Sequence, residues 1–147
     1  MHAGLRVTHE GGDHFTVEIR GHALAVDQPV ADGGTDVGPM PTELFVVSLA
    51  SCVAHYGRRF LCRHGLPDHV TVDAEWTMAS SPTRVGSIRV SVAAPGLPSE
   101  LEPRFAKVIE HCSVHNTLVV PPDVNIDVNA VSRPGRPAAS IAGSSGA

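Results

Sequence analysis

The sequence predicts an α+β domain built on antiparallel sheets, not an alternating βαβ fold. Three observations carry that prediction. Short alternating segments separated by glycine turns fill the first 26 residues. A single long apolar helix follows, opened by Pro41 and stopped by Gly65 and Pro67. Residues 70–94 then alternate twice around a turn, the signature of a β-hairpin.

In chain order, residues 3–9 suit a first short strand and GGD at 11–13 a turn. Phe15, Val17 and Ile19 alternate with Thr16, Glu18 and Arg20, which predicts a half-buried strand. Gly21 breaks it, and His22, Leu24 and Val26 continue as a third strand. DQPVADGGTDVGPM, residues 27–40, is a loop by its breakers, and its length points to a functional one. The helix that follows runs through LFVVSLASCVA with hardly a polar atom, so it is expected to be covered on all sides. One sheet and one amphipathic helix do not supply that cover. Either the sheet wraps the helix or a second subunit does, which would make an obligate dimer.

Val70, Val72, Ala74, Trp76 and Met78 form the inner face of the next strand, and Ile88, Val90 and Val92 that of its partner. Pro95, Gly96 and Pro98 end the hairpin. Ser99 and Glu102 stand at capping-box spacing. A second helix then places Leu101, Phe105, Val108 and Cys112 on one apolar face, with Cys112 at its end. Asn116 and Pro121-Pro122 close a short helical or irregular piece, and Val124, Ile126 and Val128 read as a last strand. The domain is assigned to residues 1–130. Residues 131–147 are small, polar and rich in Pro and Gly, and are expected to be a flexible, dispensable tail.

Composition narrows the function. At 147 residues, with 42% apolar and 18% charged side chains, the chain suits one globular domain. A formal net charge of -4 without a Lys/Arg cluster argues against a nucleic-acid partner. No apolar run reaches membrane-spanning length, because His55 and Arg58 interrupt the longest. The N-terminus lacks the apolar core of a signal peptide, and three cysteines without one point to thiols in the cytoplasm.

Cys52 sits mid-helix, and its neighbours one and two turns away include Ser48, Leu49, His55, Tyr56 and Arg59. His55 and Arg59 are cation candidates that could lower a thiol pKa and so activate it; the competing reading is a small core hydrophobe. Cys62 is out of reach within the same helix, about 15 Å away at about 1.5 Å rise per residue. Cys112, on another buried stripe, is a candidate partner. Without a CxxC, two core-facing thiols fit a peroxidatic and resolving pair better than a thioredoxin-type motif. His111 and His115 flank Cys112 at i, i+4 spacing, but no carboxylate completes a zinc motif, so neither metal nor cofactor is expected. Glu43, about 180° around the helix from Cys52, suits the helix dipole.

Together, GGTDVGPMPTELFVVSLASC and the later EHCSVHNTL resemble the OsmC/Ohr family over roughly residues 5–130. The resemblance implies an OsmC-like fold, in which antiparallel sheets wrap two central helices in an intertwined homodimer. It also implies thiol-dependent reduction of organic hydroperoxides, with Cys52 peroxidatic, Cys112 resolving and an external dithiol as reductant. Two positions depart from the family's peroxidases: Thr42 stands where they place a catalytic Glu, with Glu43 one residue on, and GGDHF at 11–15 lacks their Arg. The chain therefore resembles the less characterised OsmC-like branch. Arg20, Glu43, His55 and Arg59 are the candidate supporting residues. The rival expectation is a non-catalytic dimer of the same fold that binds a small apolar or thiol-reactive ligand.

Overall fold

A computed structural model of the chain describes residues 3–130, so the expected tail lies outside the described residues. Five strands and three helices follow one another as β1 (Arg6–Gly11), β2 (His14–Ile19), β3 (His22–Val26), α1 (Pro41–Arg63), β4 (Thr71–Ala79), β5 (Arg84–Ala93), α2 (Glu102–Ile109) and α3 (Ser113–Val119). They form two antiparallel sheets, β1-β2-β3 and β4-β5. The predicted α+β class, first three strands, long helix and hairpin are all present.

In the hairpin, register decides which face is buried. Val72 pairs with Val92, Ala74 with Val90 and Trp76 with Ile88. Paired residues share a face, so the alternation lines one side with apolar groups and leaves Asp73, Glu75, Arg89 and Ser91 on the other. α1 lies across the apolar side: Leu49 and Val53 pack against Val72, Ile88, Val90 and Val92. α2 closes on the second half of α1, where Phe60 and Leu61 meet Phe105 with the two phenyl rings edge to face at 5.4 Å. Burying one such Phe stabilises by about 1.5–3 kcal/mol. The helices approach this closely because residue 57 is glycine; a Cβ there would sit 3.1 Å from Phe105 Cζ.

The loop from 27 to 40 is held from inside. Asp27 is 1% exposed, and its carboxylate accepts from the Gln28, Thr35 and Val37 amides and the Thr35 hydroxyl. Four donors on one carboxylate hold its pKa at about 2 against the usual 3.8, the Thr35 hydroxyl contributing most. Gly34 and Gly38 seat the loop, since a Cβ at either would collide with the backbone carbonyl of Gln28 or Ala25.

Four expectations change. Residues 124–128 form no strand, and Val124, Ile126 and Val128 stand exposed; the alternation is there, but no described strand pairs with it. The Ser99 hydroxyl turns to Glu100 Oε2, so the capping box does not form and a 3-10 turn, Ser99–Leu101, leads into α2. α2 stops at Ile109, and Cys112 lies beyond it as the N-cap of α3. Finally, α1 is not covered all round within one chain: Val46, Leu49, Val53, Phe60 and Leu61 are buried, whereas Phe45 and Val47 are exposed.

The first sheet is also uncovered. Val7, Val17 and Leu24 stand in register on one face, beside the row His9, Phe15 and Val26. Val7, Ile19 and Leu24 remain exposed, and no strand of this sheet packs broadly on α1.

Candidate functional site

The two cysteines, sixty residues apart in the chain, come together in one cluster. Cys52 lies at the start of the fourth turn of α1, half-buried, packed against the cluster of Leu49 and Val53. Cys112 is fully buried in that cluster, with Val72, Ile88, Val90 and Val92 from the hairpin completing the wall. Its backbone is extended, as an N-cap requires, and its sulfur accepts the His115 amide at 3.5 Å. Cys62, at the far end of α1, is exposed, and all three cysteines are free thiols.

Burial raises the Cys112 pKa, and the neighbouring Cys52 thiol raises it further. The His115 and Val114 amides oppose that rise, because they point at charge developing on the sulfur. Cys112 is thus held as a thiol that two amides are placed to stabilise once it ionises. A third link fixes the pair: Tyr56, one turn after Cys52, shares a 2.8 Å hydrogen bond between its hydroxyl and that of Ser113, next to Cys112.

An apolar recess of about 330 Å³ flanks the cluster. Phe45 and Leu49 of α1, Ile88 of β5, and Leu118 and Val119 of α3 line it, with His115 on its wall.

The candidate supporting residues separate. Glu43 Oε2 accepts the Met40 amide at 2.8 Å, fixing the start of α1. Arg20 sits in the β2–β3 turn at φ 49, on the sheet that does not pack on α1. His55 is exposed with its ring against Tyr56, and Arg59 is exposed one turn further along. His111 and His115 each engage a backbone carbonyl through Nδ1, those of Lys107 and Glu110, and no metal-binding cluster forms among the described residues. Sequence reasoning named Tyr56 only as a neighbour and missed Ser113. Its one available signal was the i+4 spacing from Cys52.

A sequence model of the OsmC-like protein family matches residues 33–127, most of the chain and both cysteines. The chain belongs to the OsmC-like protein family. Solved structures agree on the fold. An osmotic stress induced and detoxification response protein from Psychrobacter arcticus is 21% identical, with a TM-score of 0.71 over 77% of this chain and 85% of that one. The organic hydroperoxide resistance protein OsmC of Legionella pneumophila is 19% identical, with a TM-score of 0.63 over 80% and 89%. That of Elizabethkingia anophelis is 17% identical, with a TM-score of 0.63 over 80% and 87%. No curated protein matches the sequence. Among the described residues of this OsmC-like protein, no helix is long and apolar enough to cross a membrane.

Proposed function

We propose that this OsmC-like protein reduces organic hydroperoxides through Cys52 and Cys112, as a cytoplasmic homodimer. The observation that carries the reading is the burial of Cys112 against Cys52 in one apolar cluster, with the His115 amide on its sulfur. Two of the similar structures are named as organic hydroperoxide resistance proteins, which agrees with it.

The chemistry divides between the thiols by access. Cys52 is half-buried whereas Cys112 is fully buried, so an organic hydroperoxide reaches Cys52 first. Its thiolate attacks one peroxide oxygen, the O–O bond breaks, Cys52 is left as a sulfenic acid, and the departing alkoxide takes a proton from water to become the alcohol. Cys112 then attacks the Cys52 sulfur; the S–S bond forms, and hydroxide leaves with the Cys112 proton as water. An external dithiol reduces the disulfide and becomes oxidised itself. Thr42 and the GGDHF turn lack the family peroxidases' carboxylate and guanidinium, and losing preorganised groups of that kind slows a reaction by about a hundredfold or more.

Mass spectrometry after stoichiometric cumene hydroperoxide is the test. The expected product is a Cys52–Cys112 disulfide, replaced by a Cys52 sulfenic acid in Cys112→Ser and absent in Cys52→Ser. An unmodified Cys52 in the wild type overturns the reading in favour of a non-catalytic ligand-binding protein.

A further inference from the structure

A second cavity, of about 690 Å³, lies between the second half of α1 and α2. Its rim is cationic: Arg59 and Arg63 stand on one wall, Arg104 and Lys107 on the other. The whole chain has 11 Lys and Arg and a net charge of -4, so four of them gathered around one groove, with no carboxylate lining it, is a marked concentration. None forms an ion pair among the described residues, where Arg58 and Asp68 make the one salt bridge. Like charges at i, i+4 and i, i+3 repel along a helix. A helix C-terminus attracts cations, which accounts for Arg63 and Lys107 near the ends of α1 and α2. It does not account for Arg59 and Arg104 turning toward the same space.

Two histidines are fixed at the edge of the groove. His64 Nδ1 bonds the Phe60 carbonyl and His111 Nδ1 the Lys107 carbonyl, both at 2.8 Å. Each ring is held by its own helix, which leaves Nε2 to meet a ligand. The floor is apolar: Phe60, 4% exposed, with Tyr56 and Val108 beside it. A cationic rim over an aromatic floor suits a ligand with an anionic head and an apolar body, and the volume lies in the range of small-molecule sites.

We propose that the groove between α1 and α2 binds a compact amphipathic anion, a carboxylate or phosphate head on a short acyl or aryl body. The head is held by Arg63, Arg104 and Lys107, and the body rests against Tyr56 and Val108, beside the His64 ring that stacks on Phe60. A free inorganic anion would use the rim and leave the floor wet; a neutral alkyl chain would use the floor and leave the rim unpaired. The site does not depend on thiol chemistry, so its test needs no turnover.

Calorimetric titration of the full chain with octanoate, octyl phosphate, octanol and inorganic phosphate decides it. Saturable binding is expected for octanoate, octyl phosphate or both, with the tighter of the two identifying the head group, and at least tenfold weaker binding for octanol and inorganic phosphate. Arg63→Gln combined with Arg104→Gln removes a charge from each wall and is expected to weaken anion binding at least tenfold at unchanged melting temperature. The paired Arg→Lys variant is expected to retain more of the affinity than the Gln pair. Binding should also fall steeply with salt, since exposed charges are screened over about 10 Å at 0.1 M. Equal affinity for octanol and octanoate, an unaltered affinity in the Gln pair, or no binding of either anion each overturns the proposal.

Discussion

Cys62 donates its thiol hydrogen to Asp68 Oδ2 across 3.3 Å, and the same carboxylate oxygen lies 2.9 Å from Arg58 Nε. The carboxylate prefers the neutral thiol and raises the Cys62 pKa, with Arg58 opposing it more weakly. An exposed cysteine is thereby kept out of the reactive range.

The first prediction follows from that contact. At neutral pH Cys62 alkylates slowly in the wild type despite its exposure. Asp68→Asn removes the carboxylate charge, leaves Arg58 facing the sulfur, and speeds iodoacetamide labelling of Cys62 severalfold. Peptide-resolved labelling kinetics check it, and an unchanged rate would mean that the 3.3 Å contact does not control the thiol.

Tyr56 supplies the second. Tyr56→Phe deletes the bond to Ser113 and keeps the ring. A hydrogen bond of this kind is worth about 0.5–1.5 kcal/mol, so the stability loss should fall at or below the lower end, given its exposure. The larger effect is expected on disulfide formation, because the bond ties the Cys52 helix to the residue after Cys112. Sulfenic acid on Cys52 should accumulate in this variant while its rate of formation is unchanged.

How much of this was legible in the sequence depended on whether a signal was local. Alternation places β2 and β4 within a residue or two, since period-two burial is written in the chain itself, whereas β5 begins at Arg84, inside the segment that reads as the turn. Cys112 was misplaced by the same logic. Its i+7 spacing from Phe105 continues the α2 face, yet the chain leaves the helix at Ile109 and reaches the core again as an N-cap. Two capping geometries compete there, and periodicity does not distinguish them. The cationic groove was invisible for another reason: Arg59 with Arg63, and Arg104 with Lys107, each read as an ordinary solvated helix face, and only tertiary packing turns them toward each other. Val124, Ile126 and Val128 carry a strand pattern without a pairing strand among the described residues.

The third prediction tests the α1–α2 contact. Gly57→Val places a branched side chain where a single Cβ already lies 3.1 Å from Phe105 Cζ. Overpacking of this kind costs about 1–3 kcal/mol, and denaturant unfolding should show a loss in that range. Combining it with Phe105→Leu should recover part of the loss if that ring is the obstacle.

Asp27 sets the acid limit of the loop. Its folded pKa, about 2, lies below the ordinary 3.8, so the stability it contributes is fully present above pH 3.8 and is lost as pH falls toward 2. The wild type should therefore lose stability across that window. Asp27→Asn should be less stable at pH 7 and show a shallower dependence between pH 4 and 2. Parallel unfolding curves for the two proteins across that range would exclude the Asp27 carboxylate as the cause.

The last prediction concerns assembly. Among the described residues most of the apolar face of the first sheet has no cover: Val26 is buried at one end, but Val7, Ile19 and Leu24 remain in water. On α1, Phe45 is 41% and Val47 54% exposed, on either flank of the buried stripe that holds Val46 and Leu49. Exposed apolar groups on two separate elements are expected to meet a partner surface. A second copy would cover both, each sheet closing over the partner's exposed helix residues, as an isologous dimer permits. The expected result is a dimer that persists at nanomolar concentration in sedimentation velocity. Val47→Glu and Leu24→Glu each put a charge into the proposed contact and should lower both dimer content and melting temperature. A charge at Arg89, Arg89→Glu, on the polar face of the hairpin, should leave the dimer intact. A wild-type chain that sediments as a stable folded monomer would remove the dimer and leave the uncovered sheet face without a partner.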